Sequence, residues 1–177
     1  SAGQRCSALR VLFVQDVIAD KVIGMLEGAL QSVTVGRPDQ IHSDVGPVID
    51  QRAANTLAKH VDYIAPRAKR HLTVPVSTEL LKSGTYFTPQ VFEIDDLGQL
   101  SREVFGPILH IIRYNIDELP AVIEQINSTG YALTLGVHSR IGAMADYIYR
   151  NTRAGNTYIN RNIIGAVVGV NPFGGQG

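Results

Sequence analysis

Residues 107–138 read PILHIIRYNIDELPAVIEQINSTGYALTLGVH. Residues 108–114 form an apolar run of strand length. Residues 117–128 follow as a helix opened by Asp117, with Pro120 in the first turn, where a missing N–H is tolerated. Residues 133–138 form another strand. A strand, helix, strand period implies parallel strands with right-handed crossovers. The fold class expected is therefore α/β: an open, mostly parallel twisted sheet with helices on both faces.

Outward from this stretch the alternation continues. Residues 140–151 read as a helix, and residues 157–160 as a strand after a Gly155-Asn156 turn. Towards the N-terminus, residues 10–15 form a strand. Residues 16–30 form a helix with Val17, Ile18, Val22, Met25, Leu26 and Ala29 at helical spacing and Asp16 as its N-cap. Gly36-Arg37-Pro38 and Gly46-Pro47 mark a loop that runs to residue 50. A second helix is expected over residues 51–69, with Ala54, Leu57, Ala58, Val61 and Ile64 on one face and an irregularity at Pro66. Arg67, Lys69, Arg70 and His71 then form a solvated cationic cap favoured by the helix dipole. Short strands follow at residues 72–76 and 87–93. There is no internal repeat.

Composition excludes several function classes. Lys plus Arg and Asp plus Glu number 16 each, so no net field draws in nucleic acid or an anionic membrane, and the expected partner is a small molecule. One cysteine makes no internal disulfide, and no cysteines and histidines have metal-ligand spacing, so no metal is expected. A reducing cytoplasm fits this usage. No apolar run approaches the roughly 18 residues of a membrane span. At 177 residues and 45% hydrophobic composition the chain suits one domain with a sizeable core. Glycines at 165, 169, 174, 175 and 177 follow the final strand, where open parallel sheets place ligands beyond carboxyl ends. They are no phosphate loop: neither the Walker lysine nor a G-x-G-x-x-G opening a helix is present.

The lone cysteine sits in Ser1-Ala2-Gly3-Gln4-Arg5-Cys6-Ser7-Ala8-Leu9-Arg10. A thiol attacks only as thiolate, and Arg5 sets a permanent positive charge beside Cys6. Ala2 and Gly3 allow close approach. Taken alone, such a cysteine is more often a small buried hydrophobe.

This stretch resembles the nucleophile motif of the aldehyde dehydrogenase superfamily, in which Gly-Gln-x-Cys carries the attacking thiol. Glu103-Val104-Phe105-Gly106-Pro107 and Asn171-Pro172-Phe173-Gly174-Gly175 match two further motifs in the right order. The longer segments, residues 2–10 and Asn160-Arg161-Asn162 with Gly165-Ala166-Val167-Val168-Gly169, resemble one branch, the Δ1-pyrroline-5-carboxylate dehydrogenases. Within it they are most similar to the C-terminal half of the bifunctional proline utilization proteins.

The resemblance implies a catalytic Cys6 that attacks glutamate γ-semialdehyde, giving a thiohemiacetal whose hydride passes to NAD and a thioester that water hydrolyses to glutamate. It implies substrate contacts at Ser7, Gly165 and Ala166 for an α-carboxylate, and at Phe173 for the aliphatic part. Glu103 would bind the nicotinamide ribose, and Phe105 would lie beside the nicotinamide ring. FAD enters only if a proline dehydrogenase region precedes. Read from residue type alone, Glu103 is a surface charge and Phe173 a core aromatic. Arg5 and Arg161 attract an anionic substrate or form structural pairs.

By the same resemblance residues 1–177 are part of a catalytic domain. The NAD-binding domain, the general-base glutamate, the oxyanion asparagine and the oligomerisation flap would lie outside. Such a fragment alone is expected to be inactive and its parent homo-oligomeric. The rival readings are a dehydrogenase for another aldehyde and a non-catalytic remnant.

Overall fold

The computed structural model describes residues 1–167 and 169–175. The chain divides into two compact units, one of Ser1–Arg5 with Leu9–Asn115 and one of Cys6–Ala8 with Ile116–Gly177. In chain order the first unit contains β1 (Val11–Gln15), α1 (Asp16–Gln31), α2 (Gln51–Ile64), β2 (Lys69–Thr73), α3 (Thr78–Ser83), β3 (Gln90–Glu93) and β4 (Ile108–Tyr114). Its sheet has the order β1-β4-β3-β2. β1 runs parallel to β4 with Val11 opposite His110, and β3 parallel to β4 with Gln90 opposite Ile108. β2 is antiparallel to β3, so the sheet is mostly parallel.

Strand alternation sorts side chains to two faces. Val11 and Phe13 of β1, Phe92 of β3, and Ile108 and Ile112 of β4 pack with Leu57 and Ile64 of α2. Leu12 and Val14, Val91, and Leu109 and Ile111 pack with Ala19 and Ile23 of α1. The two helices thus cover opposite faces of this sheet. Phe92, Leu57, Ile64 and Ile111 are fully buried, and each contributes about 1.5–3 kcal/mol of apolar burial.

Charge also ties α1 down. Glu93 accepts from His71 on β2 and, at 2.9 Å, from Nε of Arg113 on β4. Arg113 extends to Asp20 on α1 at 2.7 Å, and His71 Nδ1 lies 3.4 Å from Glu27. Burial would raise the Glu93 carboxyl pKa, but the hydrogen bonds from His71 and Arg113 outweigh it and hold it below the usual range.

The second unit contains α4 (Leu119–Ser128), β5 (Thr134–Val137), α5 (Gly142–Asn151) and β6 (Asn156–Ile159), with β5 and β6 parallel. Among its described residues Leu119, Val122, Ile123, Val137 and Ala145 are the buried apolar ones.

Several expected boundaries shift for local reasons. The chain passes from β1 straight into α1 at Gln15, so Asp16 is the first helical residue rather than the cap; its charge still meets the helix dipole. Asp50 caps α2, its Oδ1 accepting from Ala53 N at 2.7 Å, a bond worth about 1 kcal/mol. α2 ends at Ile64 because Pro66 has no N–H to extend it. Lys69, Arg70 and His71 consequently belong to β2, and only Arg67 caps the helix, donating to Tyr63 O with its guanidinium over the Tyr63 ring. β3 begins at Gln90, later than expected. α4 begins at Leu119, after a 3-10 turn at Ile116–Glu118 that takes in Asp117. α3 was not expected, since six residues capped by Ser77 carry too little periodicity to read.

His110 is buried on β4. Its backbone N–H donates to Arg10 O at 2.9 Å, and its Nδ1 lies 3.2 Å from the same oxygen. A carbonyl only accepts, so Nδ1 carries the proton and Nε2 is an acceptor, which makes His60 Nε2, at 2.9 Å, the donor. Burial, with a smaller contribution from His60, lowers the His110 pKa from 6.5 to about 4. Between those values the unfolded chain binds more protons. Stability present above pH 6.5 is therefore lost as pH falls through this window, by about 3 kcal/mol at its foot. Urea unfolding measured at intervals from pH 7 to pH 4 is expected to show that slope, and His110→Phe to reduce it, since burial lowers the His60 pKa in the same direction and that part remains. A slope unchanged by the substitution would contradict the assignment.

Candidate active site

The loop that precedes β1 is held by its own turn. Gln4 donates to Ser1 O from both its backbone N and its Nε2, at 3.0 Å each, while its Oε1 accepts from Ile49 N at 2.8 Å. Ala2 and Gly3 both have positive φ, 49° and 67°. Ala2 is buried in the same cluster as Val104. At Gly3 a Cβ would run into the carbonyl of Gly106, so no other residue fits without moving backbone. Two of the sequence motifs therefore touch at Gly3 and Gly106.

Glu103 and Phe105 flank buried Val104, and both side chains reach Arg10. Arg10 Nε lies 3.1 Å from Glu103 Oε1, and its guanidinium carbon sits 4.1 Å above the centre of the Phe105 ring. Nη2 donates to Arg5 O at 2.8 Å. Glu103 is thus a paired, partly buried carboxylate rather than a solvated surface charge. Phe105 remains exposed. This group gathers at the amino ends of β1 and β4, the opposite edge to the one that strand order alone suggests. Because those strands are parallel neighbours, the loops that enter them lie side by side.

Cys6 is a free, exposed thiol, and Ser7 beside it is buried. Cys6–Ala8 group with the second unit. In that unit Asn160, with φ 53°, clamps the ends of β5 and β6: its Oδ1 accepts from Ser139 N and its Nδ2 donates to Ser139 O, both at 2.9 Å. In the loop beyond, Arg161 Nη2 donates to Gly165 O at 3.2 Å and stacks on Tyr158. Arg161 thereby serves the loop itself. A Cβ at Gly165 would come 2.6 Å from the far end of the exposed Arg161 side chain, which can swing aside, so packing alone does not require glycine there. Ala166 is half-buried, and Asn171 Oδ1 accepts from Val167 N at 3.1 Å. Val168 and Gly177 lie outside the described residues.

The terminal glycines are seated by backbone proximity. Asn156 Nδ2 donates to Leu133 O at 3.1 Å and to Gly174 O at 2.8 Å. Gly155 lies against Gly174, and a Cβ at Gly175 would come 3.0 Å from Ala132 O. Phe173 projects outward at 48% exposure, so it is no core aromatic in this chain. Arg5 is exposed, and its carbonyl accepts from Arg10. Among the described residues, no three His, Cys, Asp or Glu side chains are grouped to hold a metal, and no helix is long and apolar enough to cross a membrane.

Residues 1–177 match the family model described as "Aldehyde dehydrogenase family" over their whole length. The chain belongs to the aldehyde dehydrogenase family. It is 47% identical over 181 residues to "Bifunctional protein PutA" of Escherichia coli (strain K12), covering 100% of this chain and 14% of that protein. It is 35% identical to "Delta-1-pyrroline-5-carboxylate dehydrogenase, mitochondrial" of Emericella nidulans, covering 98% of this chain and 32% of the relative. A crystal structure of bifunctional proline utilization A superposes with a TM-score of 0.94 at 48% identity, over 100% of this chain and 18% of that one. The chain thus spans under a third of the length of these relatives.

Within the aldehyde dehydrogenase fold, three residues with structural roles had no role assigned from sequence. Gln4 and Asn160 act through hydrogen bonds to distant backbone, and Arg10 through the distant side chains of Glu103 and Phe105, which leaves no local pattern. The clustering of Arg10 with Gln4 inside the cysteine motif was the available signal. Iodoacetamide added to the folded protein is expected to alkylate Cys6 to completion without denaturant, read by intact mass. Modification only after unfolding would contradict its exposure.

Proposed function

We propose that this chain is the cysteine-bearing part of a catalytic domain that oxidises L-glutamate γ-semialdehyde, the opened form of Δ1-pyrroline-5-carboxylate, to L-glutamate with NAD. The observation that supports the reading is the free, exposed thiol of Cys6 in a chain similar to PutA proteins over 100% of its own length. In the mechanism the Cys6 thiolate adds to the aldehyde carbon and forms a thiohemiacetal. The Cys6 backbone N–H donates to the oxygen as negative charge develops on it. Oxidation of the same carbon leaves a thioester on Cys6, which water cleaves to release the carboxylate and restore the thiol.

The residues present fit NAD. Glu103 is a carboxylate, an acceptor-only group suited to two ribose hydroxyls, and Arg10 holds one of its oxygens in place. Phe105 offers an exposed ring for the nicotinamide. When bound, NAD supplies the acceptor for the hydride. Ser7 would bind the substrate α-carboxylate by its hydroxyl, Gly165 and Ala166 by backbone N–H groups, and Phe173 would cover the aliphatic segment.

Residues 1–177 would then lack the NAD-binding domain and the oligomerisation flap of a longer, homo-oligomeric, cytoplasmic parent, and would be inactive alone. FAD would belong only to an upstream proline dehydrogenase region. In the full-length protein, Cys6→Ala is expected to lower kcat for NADH formation by on the order of 10³-fold or more while leaving NAD affinity within about twofold. Turnover surviving that substitution would overturn the reading. Equal kcat/KM for an aldehyde of the same length lacking the α-carboxylate would instead point to a different substrate.

A further inference from the structure

In the chemistry above Arg10 has only a contact to Glu103, yet its side chain also reaches Arg5 O and Phe105. Its backbone is fixed first: the Arg10 carbonyl, at the entry to β1, accepts from the His110 backbone N–H at 2.9 Å and lies 3.2 Å from His110 Nδ1 on β4. From that anchor the side chain, only 15% exposed, places three groups. Nη2 donates to Arg5 O at 2.8 Å, Nε stands 3.1 Å from Glu103 Oε1, and the guanidinium plane covers Phe105 at 4.1 Å.

The Arg5 carbonyl belongs to the same peptide as the Cys6 N–H. A peptide is planar, so holding its oxygen fixes the direction of its N–H. A charged donor on the oxygen also polarises the amide and strengthens the N–H as a donor. We propose that Arg10 is a positioning residue whose single guanidinium orients the Arg5–Cys6 peptide for the developing oxyanion while holding Glu103 and Phe105 for the cofactor. This rests on the function proposed above. A lysine could not reproduce it, since one ammonium lacks the planar group that donates to a carbonyl at one end, pairs with a carboxylate at the other and stacks on a ring.

The test uses the full-length protein with Arg10→Lys and Arg10→Met, alone and combined with Glu103→Gln. Both single variants are expected to lower kcat about tenfold and raise KM for NAD about tenfold, with KM for the semialdehyde within about twofold. In the Glu103→Gln background the Arg10 effect on KM for NAD should disappear, because it acts through that carboxylate. The kcat loss should persist, because it acts through the Cys6 peptide. A merely structural pair would lower the thermal midpoint and leave these kinetic couplings flat. If Cys6→Ala is inactive but Arg10→Lys matches wild type in kcat and in KM for NAD, the positioning role fails and the proposed function stands. An active Cys6→Ala removes both. Should Arg10→Met not fold, Arg10→Lys decides alone.

Discussion

The constraint on which the first unit's cluster around Arg10 depends is the approach of two backbones. Residue 3 lies so close to the Gly106 carbonyl that only a glycine, in a left-handed conformation, can occupy it. That approach exists because β1 and β4 are parallel neighbours and their entry loops emerge at one edge. Ala2 and Val104, buried in one cluster, hold the loops in place from beneath. Side chains on the outer side of Val104 can then converge on Arg10. Packing comes first, and the polar geometry follows from it.

The polar layer rests on buried groups with defined protonation. His110, neutral with its proton on Nδ1, pins the Arg10 carbonyl and takes a hydrogen bond from His60. On the opposite face Glu93 keeps its charge because His71 and Arg113 both serve it. A deeply buried neutral imidazole and a partly buried ion network thus lie on opposite faces of β4, the strand that follows the loop of Glu103 and Phe105. In the second unit backbone clamps take the same part. Asn160 and Asn156 fix the loops after β6 by pairing with carbonyls and N–H groups rather than with charges.

Much of this was legible in the sequence. β4 runs over the residues that its apolar run marks, and the strand and helix alternation reveals the fold class, because periodicity reports burial directly. Helix ends were less legible: Asp16 and Asp117 are both cap-like residues, yet the preceding strand and a 3-10 turn displaced each from the cap. Cys6, Glu103 and Phe105 could be singled out by motif. The partner that joins the last two could not, since Arg10 and Glu103 are distant in sequence and their pairing is a tertiary fact.

The central claim is that Cys6 carries the substrate's acyl group during turnover. Acid-quenching the full-length protein with NAD and glutamate semialdehyde, followed by peptide mass spectrometry, tests it most directly. The account predicts a glutamyl adduct on the peptide containing Cys6, absent when NAD is withheld. Turnover with Cys6 unmodified throughout and the acyl group on another residue would contradict it.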